Sequence, residues 1–240
     1  MYELSVVVPC LSSQKALPEF FDALAGVLMK NPTDVDVVVV AHKTPEDPQT
    51  CIAYVQSRYP WLRFTFLQRK GGSCGYGALA RFGIAYSSSR YVALVSPYNE
   101  DDVGILLKML DEVRRGAQLV QATRFAQNDS ARVPWKFRVY QSIYRFMVRL
   151  LTQKDITDST YAYKLFDRTF VQALGLTQNG YSVCPEITLK SVLADGNVAY
   201  VPTQAKTSPL NKDFSLVKEG FGYARVLARA ALHRVGLSWF

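Results

Sequence analysis

Leu-Ser-Val-Val-Val-Pro at residues 4–9 and Val-Asp-Val-Val-Val-Val at residues 35–40 are the stretches that decide the fold. Short, nearly continuous runs of β-branched residues are typical of strands that are buried on both faces of a parallel sheet. Between them, residues 17–29 repeat apolar side chains at helical spacing. A buried strand, a helix and a second buried strand predict an α/β sheet that is covered on both sides.

The same alternation continues along the chain. Further strands are predicted at 63–67, 91–95, 119–124, 162–166 and 199–201, and helices at 50–58, 77–86, 103–115, 135–151, 186–194 and 214–235. The expected fold is therefore a mostly parallel sheet flanked by helices. Because such sheets bind ligands at the carboxyl ends of their strands, the loops after Val8, Val40, Leu67 and Val95 are expected around one site.

Composition narrows the class of protein. The chain has 240 residues, is 49% hydrophobic, and carries 28 Lys and Arg against 20 Asp and Glu, a net charge of +8. It has no apolar run of about 18 residues and no signal-peptide pattern, which predicts a folded cytoplasmic domain. The positive charge predicts an anionic partner. No nucleic-acid-binding motif accompanies it, so nucleic acid is not the expected partner. Four scattered cysteines predict neither a zinc site nor disulfides.

Five blocks carry a more specific signal. They are GYGALARFGI at 75–84, TRF at 123–125, DSTYAYK at 158–164, GYSVCPEITLK at 180–190 and VP at 201–202. In order and spacing they resemble the motifs of family 2 glycosyltransferases, and the later blocks resemble the dolichol-phosphate mannose synthase branch. The resemblance covers residues 4–212.

The resemblance implies a hexosyltransferase with a GT-A (Rossmann-like) domain at 1–212 and an amphipathic helix at 213–240. It would transfer a sugar from a nucleotide-sugar donor to a polyprenyl phosphate or another membrane-associated acceptor. Two sets of residues are expected at the site. The donor-binding set is Pro9, His42, Arg69, Lys70, Gly75, Arg81, Ser96 and Tyr98, and the catalytic set is Asp101, Asp102, Glu186, Arg124 and Lys164.

The chain departs from this family at three places where the family has acids. Pro9 is followed by Cys-Leu-Ser-Ser, Val40 by Ala-His-Lys-Thr, and Ser96-Pro97-Tyr98 stands where the family has the metal-binding D-x-D. Carboxylates are the ligands that Mg²⁺ or Mn²⁺ would need. Glu100, Asp101 and Asp102 are one source of such ligands, although acids are also favoured at any helix amino end.

A metal-independent site is the other expectation. Cationic side chains offset the charge of a departing diphosphate. The candidates are Arg69, Lys70, Arg81, Arg124 and Lys164, together with the backbone amides of 71–77. Each also has a plain structural explanation, an exposed basic face or a tight turn. A lipid-phosphate acceptor needs no general base, whereas a hydroxyl acceptor would need Asp101, Asp102 or Glu186.

Two basic, aromatic-rich helices, 135–151 and 214–240, fit an anionic membrane surface, which predicts a protein peripheral to the cytoplasmic face of a membrane. They also fit helices packed on the sheet with their Arg and Lys stems outside. The missing acids favour an alternative function, a non-catalytic homologue that acts as a binding or scaffold subunit. The sequence leaves the oligomeric state open.

Overall fold

The computed structural model describes residues 2–11, 13–30, 33–42, 46–72, 75–98, 102–124, 135–203, 216–238 and 240, except for the side chains of residues 135–138 and 216–218. The strands are β1 Leu4–Cys10, β2 Val35–Ala41, β3 Arg63–Gln68, β4 Tyr91–Leu94, β5 Leu119–Thr123, β6 Lys164–Asp167 and β7 Val198–Pro202. The helices are α1 Leu17–Lys30, α2 Pro48–Arg58, α3 Tyr76–Tyr86, α4 Leu106–Arg114, α5 Trp135–Thr152, α6 Arg168–Ala173, α7 Val183–Leu193 and α8 Leu216–Arg234. A turn of 3-10 helix, Val103–Ile105, precedes α4.

The seven strands form one sheet in the order β3-β2-β1-β4-β6-β5-β7. All neighbours are parallel except those of β6, which runs antiparallel to β4 and to β5. The predicted α/β fold with a mostly parallel sheet is thus confirmed. The sequence did not predict the direction of β6, because a four-residue strand contains no information about which way it runs.

Alternate residues of the strands contribute side chains to two separate hydrophobic cores. In β1, Val6 and Val8 face the core beneath α1, α2 and α4, whereas Val7 faces the core beneath α3, α5, α7 and α8. This alternation is the period-two pattern of a strand that is buried on both faces. The predicted helices are confirmed to within a few residues. Helix α6 is an addition, since six residues are too few to show helical periodicity.

Helix α8 shares the second core. Tyr223, Val226, Leu227 and Ala230 are buried there with side chains of α5 and α7. The expected boundary between residues 212 and 213 lies outside the described residues. None of the described helices has the length and apolar character needed to cross a bilayer. Cys10, Cys51 and Cys184 are buried thiols, and Cys74 lies outside the described residues.

Candidate active site

The sheet brings the predicted residues toward one edge. Strands β1, β2, β3, β4, β5 and β7 are mutually aligned, so their carboxyl ends meet there. His42, Arg69, Ser96 and Arg124 follow four of these strands within two residues. Lys164 opens β6 at the same edge, because β6 is antiparallel and pairs with Leu94 and Gln121. Strand ends therefore place one histidine and three cations along a single rim.

Backbone contacts join the first three strand ends. The amide of His42 donates to the Cys10 carbonyl over 3.2 Å, and the amide of Arg69 donates to the Ala41 carbonyl over 2.8 Å. His42 Nδ1 lies 3.1 Å from the Arg69 carbonyl oxygen, which can only accept, so Nδ1 carries the proton. Pro9 lies inside β1, paired with Val40. This part of the rim is held in one fixed arrangement.

Among the described cations at this rim, Arg69 and Lys70 are those whose side chains make no hydrogen bond or ion pair with another side chain. Arg69 is half-buried and Lys70 is exposed, and neither has a carboxylate partner among the described residues. The Arg69 guanidinium lies over Gly72, whose φ is +82°; a Cβ there would stand 2.8 Å from Arg69 Nη2. The backbone angle favours glycine at this position, whereas the guanidinium is the end of a flexible side chain that can move.

Ser96 and Tyr98 are buried where β4 ends, with 8% and 2% of their surfaces exposed. The Tyr98 amide donates to Ser96 Oγ over 3.3 Å. Asp102 caps the following 3-10 turn, since its Oδ1 accepts the Gly104 amide at 3.0 Å. Glu100 and Asp101 lie outside the described residues. Within the ranges that are described, no three His, Cys, Asp or Glu side chains converge as metal ligands do, so these residues do not fit a divalent ion.

Arg124 is engaged by a carboxylate. Its guanidinium donates to both oxygens of Asp158, over 2.7 and 2.9 Å, and lies 4.4 Å from the centre of the Tyr161 ring. The Arg124 side chain is 13% exposed and that of Asp158 is fully buried. Burial opposes the charged form of Arg124, but the Asp158 carboxylate outweighs burial and raises the pKa of Arg124. The pair is bidentate, which fixes the plane of the guanidinium.

Lys164 is fully buried and faces neutral groups. Its Nζ donates to Gln121 Oε1 over 2.7 Å and to Thr188 Oγ1 over 2.9 Å, with the Ser159 carbonyl at 3.3 Å. Burial lowers the pKa of Lys164 to about 8, because the charged form loses its hydration. Among the described residues, no carboxylate lies within hydrogen-bond distance of Lys164 Nζ to restore its pKa.

Glu186 organises a loop rather than an open cavity. The carboxylate is fully buried and accepts the Thr177 amide, the Thr177 hydroxyl and the Gln178 amide over 2.7 to 3.0 Å. Lys190 Nζ lies 3.3 Å from the same carboxylate and donates to the carbonyls of Leu174 and Gly175. The lone pairs of the Glu186 carboxylate that accept these hydrogen bonds cannot also take a proton from an acceptor hydroxyl in this arrangement.

The loop that Glu186 holds packs on the amino end of α3. The Asn179 carbonyl accepts the Ala78 amide over 3.0 Å, and Arg81 Nη1 donates to the Thr177 carbonyl and to Asn179 Oδ1. A Cβ on Gly75 would lie 2.4 Å from the Asn179 carbonyl oxygen, and one on Gly77 would lie 2.5 Å from that of Gln178. These glycines permit the close backbone approach between this loop and the start of α3.

Sequence reasoning did not identify the partners that immobilise these cations. Asp158 lies in the DSTYAYK block, but no motif marks Asp158, Gln121 or Thr188 as partners of Arg124 and Lys164. The available signal was weak: Gln121 is a polar residue inside an apolar strand, which predicts a buried partner.

Comparison with known proteins identifies the family of the chain. A model of the family described as "Glycosyl transferase family 2" matches residues 5–175. No curated protein matches the chain.

Solved structures match over almost the whole chain. Glucosyl-3-phosphoglycerate synthase from Mycobacterium tuberculosis matches with 16% identity and a TM-score of 0.71, over 99% of this chain and 82% of that one. Its complex with Mn²⁺, UDP and phosphoglyceric acid matches with 17% identity and a TM-score of 0.69, over 99% and 80%. Its complex with Mg²⁺ and UDP matches with 17% identity and a TM-score of 0.66, over 99% and 81%. At this identity the likeness shows the fold.

Proposed function

The chain belongs to glycosyl transferase family 2, and from that premise we propose that it transfers a sugar from a nucleotide-sugar donor to a phosphate-bearing acceptor at a membrane. The donor would lie along the rim formed by the ends of β1 to β4. The observation that carries the proposal is the pair Arg69 and Lys70, cations at the carboxyl edge without a carboxylate partner among the described residues.

The chemistry requires charge compensation. An acceptor phosphate oxygen bonds to the anomeric carbon while the bond from that carbon to the diphosphate breaks, and the electron pair leaves with the nucleoside diphosphate. A phosphate acceptor is already an anion, so no proton has to be removed. Arg69 and Lys70 would stabilise the negative charge of the leaving diphosphate. Arg124 and Lys164 would add positive charge from their fixed positions at the same rim.

A divalent metal is the alternative source of positive charge. The M. tuberculosis synthase binds Mn²⁺ or Mg²⁺ together with UDP. Here Ser96, Pro97 and Tyr98 offer no carboxylate. A metal would need Glu100 and Asp101 in addition to Asp102, which already caps a turn. We therefore propose a donor site that works through cationic side chains.

Calorimetric titration with UDP and with GDP, each with and without Mn²⁺, tests this proposal. We expect binding without metal, and at least tenfold weaker binding when Arg69 and Lys70 are both changed to Gln. Arg63→Gln is the matched control, because Arg63 is an exposed cation at the opposite end of β3. Binding that requires Mn²⁺ would contradict the metal-independent site. Loss in the control as well would show that the effect is not local.

The acceptor is the finer part of the proposal. The later sequence blocks resemble enzymes that use polyprenyl phosphates, whereas solved structures of the synthase contain phosphoglyceric acid. Both are phosphate-bearing anions, in agreement with the net charge of +8. Transfer of radiolabelled sugar to a polyprenyl phosphate, with phosphoglyceric acid assayed in parallel, distinguishes them. We expect transfer to the lipid.

A second function, a non-catalytic binding or scaffold subunit, is favoured by the neutral residues at 96–98. A scaffold has no need for a donor site. Failure of UDP and GDP to bind under all conditions, in a protein that melts cooperatively, would favour this second function.

A further inference from the structure

Helix α5 has apolar side chains on two faces. Tyr144 and Val148 on one face are buried against α7 and α8. The other face forms an exposed stripe, in which 45% to 64% of each residue is accessible: Val139, Ile143, Phe146, Met147 and Leu150. The spacing places all five on one side of the helix, over a length of about 16 Å.

Basic residues border this stripe. Arg145 and Arg149 are one turn apart, so they form a row between the exposed stripe and the buried face. Arg145 is paired with Asp155 at 2.8 Å, whereas Arg149 is exposed and has no carboxylate partner among the described residues. The sequence of α5, residues 135–152, contains four Lys and Arg residues and neither Asp nor Glu: WKFRVYQSIYRFMVRLLT.

We propose that α5 docks through this stripe on an anionic lipid surface, with its axis in the plane of the membrane. The apolar side chains would enter the boundary between headgroups and acyl chains, and the arginine row would lie among the lipid phosphates. This inference rests on the proposed function only in that a lipid acceptor would lie in the membrane. It identifies the surface that docks.

Charge distinguishes a lipid surface from a second copy of the chain. Two copies that pack through the stripe would bring together two helices that each have four Lys and Arg residues and neither Asp nor Glu. Of Arg145 and Arg149, Arg145 alone has a carboxylate partner among the described residues, Asp155 from outside α5. Anionic lipids supply the missing negative charge. Charge complementarity therefore favours the membrane.

Hydrogen bonds connect helix α5 to the rim of the sheet. Gln141 of α5 donates to Thr160 Oγ1 over 2.6 Å, and Thr160 Oγ1 lies 3.3 Å from Asp158 Oδ1. Asp158 in turn holds Arg124, the residue that follows β5. Docking of α5 would therefore bring the membrane surface to an element that contacts the candidate active site.

Vesicle sedimentation tests this inference with the full chain. The probes are vesicles of phosphatidylcholine alone and vesicles with about 30% phosphatidylglycerol, containing neither donor nor polyprenyl phosphate. We expect sedimentation with the anionic vesicles, and weaker binding at 0.5 M salt because the phosphate contacts are screened.

Two variants separate the apolar and basic contributions. Ile143→Ser with Phe146→Ser should lower partitioning at least tenfold, whereas Met29→Ser with Trp61→Ser should leave it unchanged. Met29 and Trp61 are exposed to a similar extent, but they lie outside α5. Arg149→Gln should weaken binding about fivefold and reduce its salt dependence.

Wild-type protein that stays in the supernatant, or equal losses in the stripe and control variants, would overturn the inference. A dimer in sedimentation equilibrium that the stripe variant abolishes would also overturn it, in favour of a second copy. Because the vesicles contain no substrate, these outcomes are independent of whether UDP or GDP binds, so failure of docking and failure of the proposed enzymatic function are separable.

Discussion

At the scale of single residues, the buried pair Arg124 and Asp158 is a point at which stability should be sensitive to substitution. Removing one partner of a buried ion pair leaves the other charge without compensation. We expect Asp158→Asn to lower the free energy of unfolding by about 3 kcal/mol in urea titrations. The control is Asp155→Asn, whose carboxylate is 53% exposed and pairs with Arg145; it should cost less than about 1 kcal/mol. Equal costs would contradict the buried pair.

Lys164 makes stability depend on pH in a specific window. Burial lowers its pKa from 10.5 to about 8, so between these values the unfolded chain holds a proton that the folded chain has released. The free energy of unfolding therefore rises with pH across this window. Relative to Lys164→Met, the wild type should gain about 2 kcal/mol between pH 7.5 and 9.5 in urea titrations. Lys108→Met, at an exposed site, should run parallel to the wild type.

At the scale of elements, two helix-interior glycines should respond in opposite ways to alanine. A Cβ on Gly83 of α3 would lie 2.3 Å from Val7 Cγ1 and 3.1 Å from Val40 Cγ2, whereas one on Gly26 of α1 meets nothing within 4 Å. We expect Gly83→Ala to destabilise the protein by about 1–3 kcal/mol, since helix and sheet must separate. Gly26→Ala should stabilise it by roughly 0.5–1 kcal/mol through helix propensity. Thermal melting measures both changes in stability. A gain in stability for Gly83→Ala would contradict the close approach of α3 to the sheet.

Elements could be predicted from the sequence because their signals are local. The β-branched run at 35–40 and the helical spacing at 17–29 depend only on neighbouring residues, and both predictions are confirmed. The partner of Arg124 comes from a segment 34 residues away, and the amides that Glu186 accepts belong to the loop just before its helix; both contacts are fixed by packing. No pattern in a single sequence expresses such contacts. The roles assigned to these residues stay predictions.

At the scale of the whole molecule, the topology of the sheet predicts which loops lie together, and residue motifs alone do not. Parallel strands predict that loops after β1, β2, β3 and β4 lie at one edge, and the register of the sheet agrees. Net charge predicted an anionic partner but not where it binds. Two surfaces carry cations without a carboxylate partner among the described residues, the rim with Arg69 and Lys70 and the side of α5 with Arg149, whereas Arg124 and Lys164 are held by internal partners.

The reversed strand β6 has a consequence for how such a protein can diversify. Since β5 ends and β6 begins at the same edge, on adjacent strands, residues 124–163 leave the sheet and return to it within one strand spacing. An excursion with neighbouring endpoints can be exchanged or lengthened without changing the register of any strand. The exposed face of α5 could thus vary, and with it the surfaces that the protein contacts, while the buried Tyr144, Val148 and Asp158 of the same segment stay fixed.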